Sequence, residues 1–323
     1  MKAWICRANA EDIGTLKLED VTLPALAPHE ARVRVRASSV NFPDILMVQG
    51  KYQHRPELPF TVGGEFAGDV IAVGDAVTNV TVGDRVVGGG FQGAFAEENQ
   101  LAASALRKIP GEASYAEAAS FTTAYLTAYV ALVRRGELEA GETLLVHGAA
   151  GGVGLAAVDL GRVYGAKVIA TASSEAKRSF LKDYGADLVL PSSGFREAVK
   201  DFTGGRGADV IYDPVGGDVF DESVRCIAFN GRLLVIGFTS GRIPTIAANM
   251  PLIKGFSVVG VRAGEYGRKS PAKGRENIAA IDALLAEKNI RPHIHARFAL
   301  RDALDAMRTL ETRTVIGKTI VEP

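Results

Sequence analysis

Apolar and polar residues keep two different rhythms along this chain. From Met1 to about Ala119 they alternate in short runs broken by turn residues, as in "EARVRVRASSV" (30–40) and in "RVVGG" (85–89) after Gly83-Asp84. Alternation of period two predicts half-buried strands, so this part reads as mostly β structure. From about Thr143 the strand candidates become continuous apolar runs, TLLVH, KVIAT, LVL, DVIYD, RLLVIG and FSVVGV, separated by helical stretches at intervals of about twenty residues. Strands buried on both faces and alternating with helices predict a doubly wound parallel sheet. A helix is expected from about Arg275 to Asn289, then a strand in "PHIHARFAL", a helix in "RDALDAMRTLE" and a last strand in "GKTIVEP".

The first apolar run ends in glycines, "TLLVHGAAGGVGLAAVDLG" (143–161), and the following helix carries Val153, Ala156, Ala157, Leu160 and Tyr164 at helical spacing. A helix N-terminus presents unpaired N–H groups and the positive end of the helix dipole, and missing Cβ atoms let a pyrophosphate reach the backbone. Ala149, Gly151 and Gly154 take the three places of the dinucleotide fingerprint, and Ala150, Gly151, Gly152 and Val153 form the expected pyrophosphate turn. A dinucleotide-binding Rossmann domain follows. After the second strand, where NAD-binding units carry an acid for the ribose, stand Ser173 and Ser174 and then Lys177 and Arg178. Hydroxyls and cations attract a 2′-phosphate that a carboxylate would repel, so the cofactor expected is NADPH. Two readings stay open here: Lys177 and Arg178 as a solvated helix face, and Glu175 turned inward.

Composition narrows the picture further. With 37 basic and 37 acidic residues there is no field to hold a polyanion, and nucleic acid is not expected as a partner. No apolar run reaches membrane-spanning length, and acidic residues appear by position 11, so a soluble, intracellular, cytoplasmic protein is expected. Cys6 and Cys226, the only cysteines, cannot build a disulfide framework or a Cys-rich zinc module. The five histidines, His29, His54, His147, His293 and His295, read as surface or packed residues rather than metal ligands.

Taken in order, "SSVNFPDILMVQGKY", "PFTVGGEFAGDVIAVG", "VGDRVVG", "GAAGGVG", "GADVIYDPVGG", "GRLLVIGF" and "GKTIV" resemble the medium-chain dehydrogenase/reductase superfamily, and within it the zinc-independent NADPH:quinone oxidoreductases. The likeness spans nearly the whole chain. It implies a mostly-β GroES-like catalytic domain from residues 1–122 and 271–323, around a Rossmann domain at 123–270. In the zinc enzymes of this superfamily the first motif begins with a metal-binding Cys and the second carries Gly-His-Glu; here Asn41 and Gly64 hold the Cys and His places, so no metal site is expected. Without a metal to ionise an alcohol, whose hydroxyl loses its proton only near pKa ~16, the acceptor must already be electron-poor, as a quinone or conjugated enone is.

The resemblance also implies roles. Asn41 stands where acceptor and nicotinamide meet and can donate a hydrogen bond; Tyr52 can donate to a quinone oxygen or supply a proton; Asp44 is a positioning residue bonded to backbone. Structural readings remain beside these, an Asx turn for Asn41 and a half-buried ring for Tyr52, and Glu65 stays ambiguous. Thr127 is implied near the nicotinamide and phosphates, Phe238 and Ser240 in the loop over the nicotinamide, and Lys318 as a reach to the phosphates. Ser192 replaces a Tyr common beside the 2′-phosphate, and Val62 a Pro before "GGE". Arg262 and Tyr266 fall in a region that approaches the acceptor in relatives. Enoyl-thioester or enone reduction is the rival chemistry, with Arg55, Arg262 and Arg268 as candidates for a coenzyme A tail; a non-catalytic NADPH-binding protein is the other alternative. A homodimer or homotetramer is implied, paired through an edge strand near Phe256 to Val261.

Overall fold

In the computed structural model, which describes all 323 residues, the alternating first part becomes antiparallel sheet. β1 (Lys2–Cys6) pairs with β2 (Lys17–Asp20); β3 (Glu30–Ser39) and the helix α1 (Phe42–Val48) follow; β4 (Phe60–Thr61) joins the other edge of β1. Then come β5 (Glu65–Val73), β6 (Arg85–Gly89), β7 (Glu98–Ala102), β8 (Leu106–Lys108) and α2 (Tyr115–Tyr129), which runs on into a π-helical turn, Val130–Arg135. The second part supplies β9 (Thr143–Val146), α3 (Gly152–Val163), β10 (Lys167–Ala172), α4 (Glu175–Tyr184), β11 (Leu188–Pro191), α5 (Arg196–Phe202), β12 (Ala208–Asp213), α6 (Gly217–Ser223), β13 (Ile227–Val235), α7 (Asn249–Lys254), β14 (Ser257–Gly260), α8 (Ala263–Lys269) and α9 (Pro271–Ala286). β15 (Ile294–Ala299), α10 (Ala303–Glu311) and β16 (Lys318–Glu322) complete the chain.

Two compact units result. The first comprises Met1–Thr122, Leu285–Glu287 and Arg291–Pro323, and the second Thr123–Leu284 with Lys288–Ile290. The boundary differs from the sequence reading, which gave all of 271–323 to the first. Most of α9 belongs to the second unit, because Arg134 donates to Asn277 Oδ1 at 2.8 Å and pairs with Glu276 at 2.9 Å, while Ile281 is fully buried.

β3 organises the first unit. Ala31, Val33, Val35 and Ala37 face the core between exposed or half-exposed arginines, the expected period of two, and the pattern then breaks at Ser38 and Ser39, both buried. The break has a cause: the first half of β3 pairs with β7, and its end pairs antiparallel with β16, with Ile320 opposite Ser39 and Val321 opposite Ser38. The large sheet runs β15-β16-β3-β5-β6-β8. Trp4, Val35, Ile45, Phe66 and Phe95 are among its packed core residues.

The second unit is a six-stranded sheet, β11-β10-β9-β12-β13-β14, with every neighbouring pair parallel. Numbered within the sheet this is order 3-2-1-4-5-6, the doubly wound arrangement. Its central strands β9, β10 and β12 are buried on both faces, which explains their unbroken apolar runs; Leu144, Leu145, Val146, Val210 and Ile211 are fully covered. The order reverses between β9 and β12, and ligands bind such sheets beyond the carboxyl ends of strands at the reversal.

Candidate active site

Beyond β9 lies the glycine turn. Gly148 adopts φ +54°, Gly151 is the N-cap of α3, and the helix begins at Gly152 without any side-chain cap. A Cβ on Gly154 would stand 2.3 Å from Gly148 O and 2.7 Å from Ala149 Cα, so only glycine lets the helix press this close to the turn. A Cβ on Gly151 would meet nothing nearer than Gly148 O at 3.4 Å. That open side, with the uncapped N–H groups of Gly152 and Val153 beside it, fits a pyrophosphate. Ala150 is buried in the turn, and Ala149 N–H donates to Thr171 O of β10 at 3.0 Å.

The neighbouring strand ends supply the rest of a nucleotide site. At the end of β10, Ser173 is exposed and Ser174 caps α4, its Oγ accepting from Lys177 N–H. Arg178 is held across this end by Ala172 O at 3.3 Å and Glu175 at 2.6 Å. Glu175 does not turn inward: its side chain is 82% exposed and spends itself on Arg178. Beyond β13, Thr239 N–H and Ser240 N–H donate to Pro214 O and Val215 O, and the Phe238 ring fills the space a Cβ on Gly216 would need. The loop of Phe238 and Ser240 is thereby fastened to the end of β12. Thr127, in α2, donates its hydroxyl to Thr123 O at 2.7 Å, leaving its oxygen only as an acceptor.

Two buried residues shape this end without having been singled out as site residues. Asp213 Oδ1 accepts from Val215 N–H (2.8 Å) and Gly216 N–H (2.9 Å), and burial raises its carboxyl even against those bonds. The motif "DPVGG" carried that signal, an Asx turn before two glycines. His147 lies between Thr171 Oγ1 (3.0 Å) and Ser223 Oγ (2.8 Å). Because Ser223 gives its proton to Val219 O, Nε2 must be the protonated nitrogen. Burial pushes its pKa down to about 3, so it is a neutral packed histidine.

In the first unit, α1 opens at Asn41, whose N–H donates to Asp44 Oδ2 at 2.8 Å. Asp44 is buried against the Gly64 backbone, bonded to backbone as expected. Burial, with Glu65 nearby, pushes its pKa up to about 7, although the Asn41 and Gly64 N–H groups and Lys318 pull the other way. The Asn41 side chain is fully engaged. Nδ2 donates toward Glu65 Oε2 (3.2 Å) and Ser39 (3.2 Å to O, 3.3 Å to Oγ), and Oδ1 accepts from Lys318 Nζ at 2.6 Å. The amide thus meets protein partners on both sides, and Lys318, implied as a reach to the phosphates, stands on Asn41 Oδ1. The physical reason is strand pairing: β16 runs beside the end of β3, with Val40 N–H bonded to Thr319 O, and this delivers Lys318 to Asn41. Tyr52 is half-buried and its hydroxyl makes no hydrogen bond within the protein; the same loop carries His54, stacked on Phe91 at 3.8 Å. No three His, Cys, Asp or Glu side chains converge as metal ligands.

Comparison with known proteins agrees with this geometry. Residues 27–130 match the alcohol dehydrogenase GroES-like domain and residues 152–281 the zinc-binding dehydrogenase family. Quinone oxidoreductase-like protein 2 of Bos taurus is 37% identical over 99% of this chain and 96% of its own length. The chain belongs to the quinone oxidoreductase family of the medium-chain dehydrogenases/reductases. Within the fold of that family, mycobacterial Rv1454c has been solved in complex with NADPH; it shares 32% identity over 100% of both chains, with a TM-score of 0.92. The CurF ER cyclopropanase from the curacin A biosynthetic pathway also shares the fold, at 25% identity over 99% of this chain and 98% of its own, TM-score 0.90. NADPH is thus a ligand bound within the family.

Proposed function

We propose that this protein is an NADPH-dependent reductase of quinones or similar conjugated carbonyl compounds. The observation that carries the reading is the set of strand ends in the second unit: an uncapped helix above a glycine turn, and beyond β10 two serine hydroxyls with Lys177 and Arg178 but no inward carboxylate. NADPH, when bound, supplies a hydride. The residues of the turn bind the pyrophosphate, Ser173, Ser174, Lys177 and Arg178 the 2′-phosphate, and Phe238 and Ser240 border the nicotinamide. In the first unit Asn41 stands at the acceptor, and the Tyr52 phenol gives a hydrogen bond to the acceptor oxygen as negative charge gathers there. His54, two residues on from Tyr52, stacks on Phe91 and offers a flat aromatic surface that suits a planar ring.

A homodimer belongs to this reading. β14 is the edge of its sheet, and near it Leu252 (81% exposed), Phe229 (76%) and Ile253 lie bare. An unpaired apolar edge of this kind invites a second copy. A cytoplasmic location is proposed with it, because Cys6 and Cys226 are both free thiols, as in a reducing compartment; no helix is long and apolar enough to cross a membrane. The test is the loss of NADPH and NADH absorbance against quinones, enones and enoyl-thioesters. Turnover of quinones with NADPH preferred is expected; faster enoyl-thioester reduction moves the protein to the rival chemistry, and bound NADPH that no acceptor consumes defeats the catalytic reading.

A further inference from the structure

Lys318 is an unusual residue to bury. Its side chain is 7% exposed and that of Glu65, 3.8 Å from Nζ, only 2%. Withdrawing an ammonium from water costs several kcal/mol even when it is paired, and apolar residues of similar volume commonly serve stability as well or better. The ammonium's close contact is not with a carboxylate but with Asn41 Oδ1, at 2.6 Å. The chemistry of the partners then fixes the amide. Lysine only donates and an ionised carboxylate only accepts, so Oδ1 must face Lys318 and Nδ2 must face Glu65. Ser39 Oγ donates to the same Glu65 oxygen at 3.0 Å and closes the ring of contacts.

We propose that Lys318 is a positioning residue for reduction, the buried amine that locks Asn41 in one orientation beside Asp44 and Glu65. It acts through Asn41 and touches neither acceptor nor nucleotide in this role. Without it, Oδ1 loses its donor and buried Glu65 loses its nearby amine; the amide is then free to turn. The inference rests on the reductase reading but is separable from it.

The experiment compares wild type with Lys318→Met, Asn41→Ala and the double variant, using 1,4-naphthoquinone as acceptor. Expected are a fall in kcat of tenfold or more for Lys318→Met, a dissociation constant for NADPH within twofold of wild type, and a double variant no slower than Asn41→Ala alone. The crystal structure of Lys318→Met is expected to show the Asn41 amide turned or displaced. If the single variant does not fold, Lys318→Met with Glu65→Gln, which leaves no uncompensated carboxylate at that position, carries the same comparison. A kcat within twofold of wild type, losses that multiply in the double variant, or an unmoved amide would each overturn the proposal. Should wild type reduce no acceptor at all, the reductase reading fails while the crystallographic arm still decides the role of Lys318.

Discussion

Gly154→Ala adds one methyl group at the tightest point of the nucleotide turn. The new carbon would sit 2.3 Å from Gly148 O, 2.7 Å from Ala149 Cα and 2.9 Å from Ala149 C, all backbone atoms. Non-bonded heavy atoms rest near 3.5 Å, so helix and turn must part by about 1 Å. Neither side yields easily, because the turn is tied down by Ala149 N–H to Thr171 O and by Gly151 N–H to Gly148 O, at 3.0 and 2.9 Å. Overpacking of this kind costs about 1–3 kcal/mol, of which the better helix propensity of alanine returns up to about 1 kcal/mol. The expected net loss is therefore about 1–2 kcal/mol, a fall in Tm of a few degrees. Binding suffers as well, since a lost hydrogen bond to a charged group costs about 1.5–3 kcal/mol, roughly ten- to a hundredfold in affinity. NADPH titration by fluorescence, with calorimetric melting, measures both. Gly260→Ala is the matched control, a glycine of the same unit with nothing within 4 Å of its would-be Cβ. An NADPH affinity for Gly154→Ala within twofold of that control would refute the idea that close helix approach builds the site.

Asp44→Asn tests the raised carboxyl. With its pKa up from 3.8 to about 7, native Asp44 keeps a proton the unfolded chain has released, so its contribution is complete below about pH 4 and is lost as pH rises through 7. The stability of wild type relative to the variant should fall by about 1.4 kcal/mol per pH unit across that window in urea unfolding; parallel curves would show an ordinary carboxylate. Tyr52→Phe is expected to lower kcat about 10²-fold with little change in NADPH binding, and an unchanged kcat would remove the phenol from the reaction. Arg178→Gln should weaken NADPH tenfold or more and leave NADH alone; equal loss for both would make Arg178 a purely structural clamp on β10. Val258→Lys puts a charge on the exposed edge strand, and sedimentation should find a monomer where wild type is dimeric.

The second unit was legible because burial on both faces leaves no polar residue to interrupt the strands, and because glycine appears wherever the backbone must pass close. What a strand pairs with far along the chain leaves no such trace. Nothing in "GKTIV" says that Lys318 is buried, and a lysine beside a glycine reads naturally as a phosphate contact. The partners of the Asn41 amide were not legible because they come from β3, β5 and β16, which only the sheet brings together. Asp159 shows a fainter signal overlooked: a lone carboxylate in the apolar run "AAVDLG", it accepts from Tyr125 and Tyr184 and joins α2, α3 and α4 from within. The division at residue 271 missed because α9 is bound by Arg134 through polar contacts that no hydrophobic period announces.

The bond between Lys318 and Asn41 joins residues 277 positions apart. During synthesis every strand of the Rossmann sheet leaves the ribosome before β16 does, so the nucleotide-binding unit can close around its core while the Asn41 pocket still lacks its cation. A chain stopped before β16 would hold the whole parallel sheet yet leave Asn41 Oδ1 and Glu65 without Lys318.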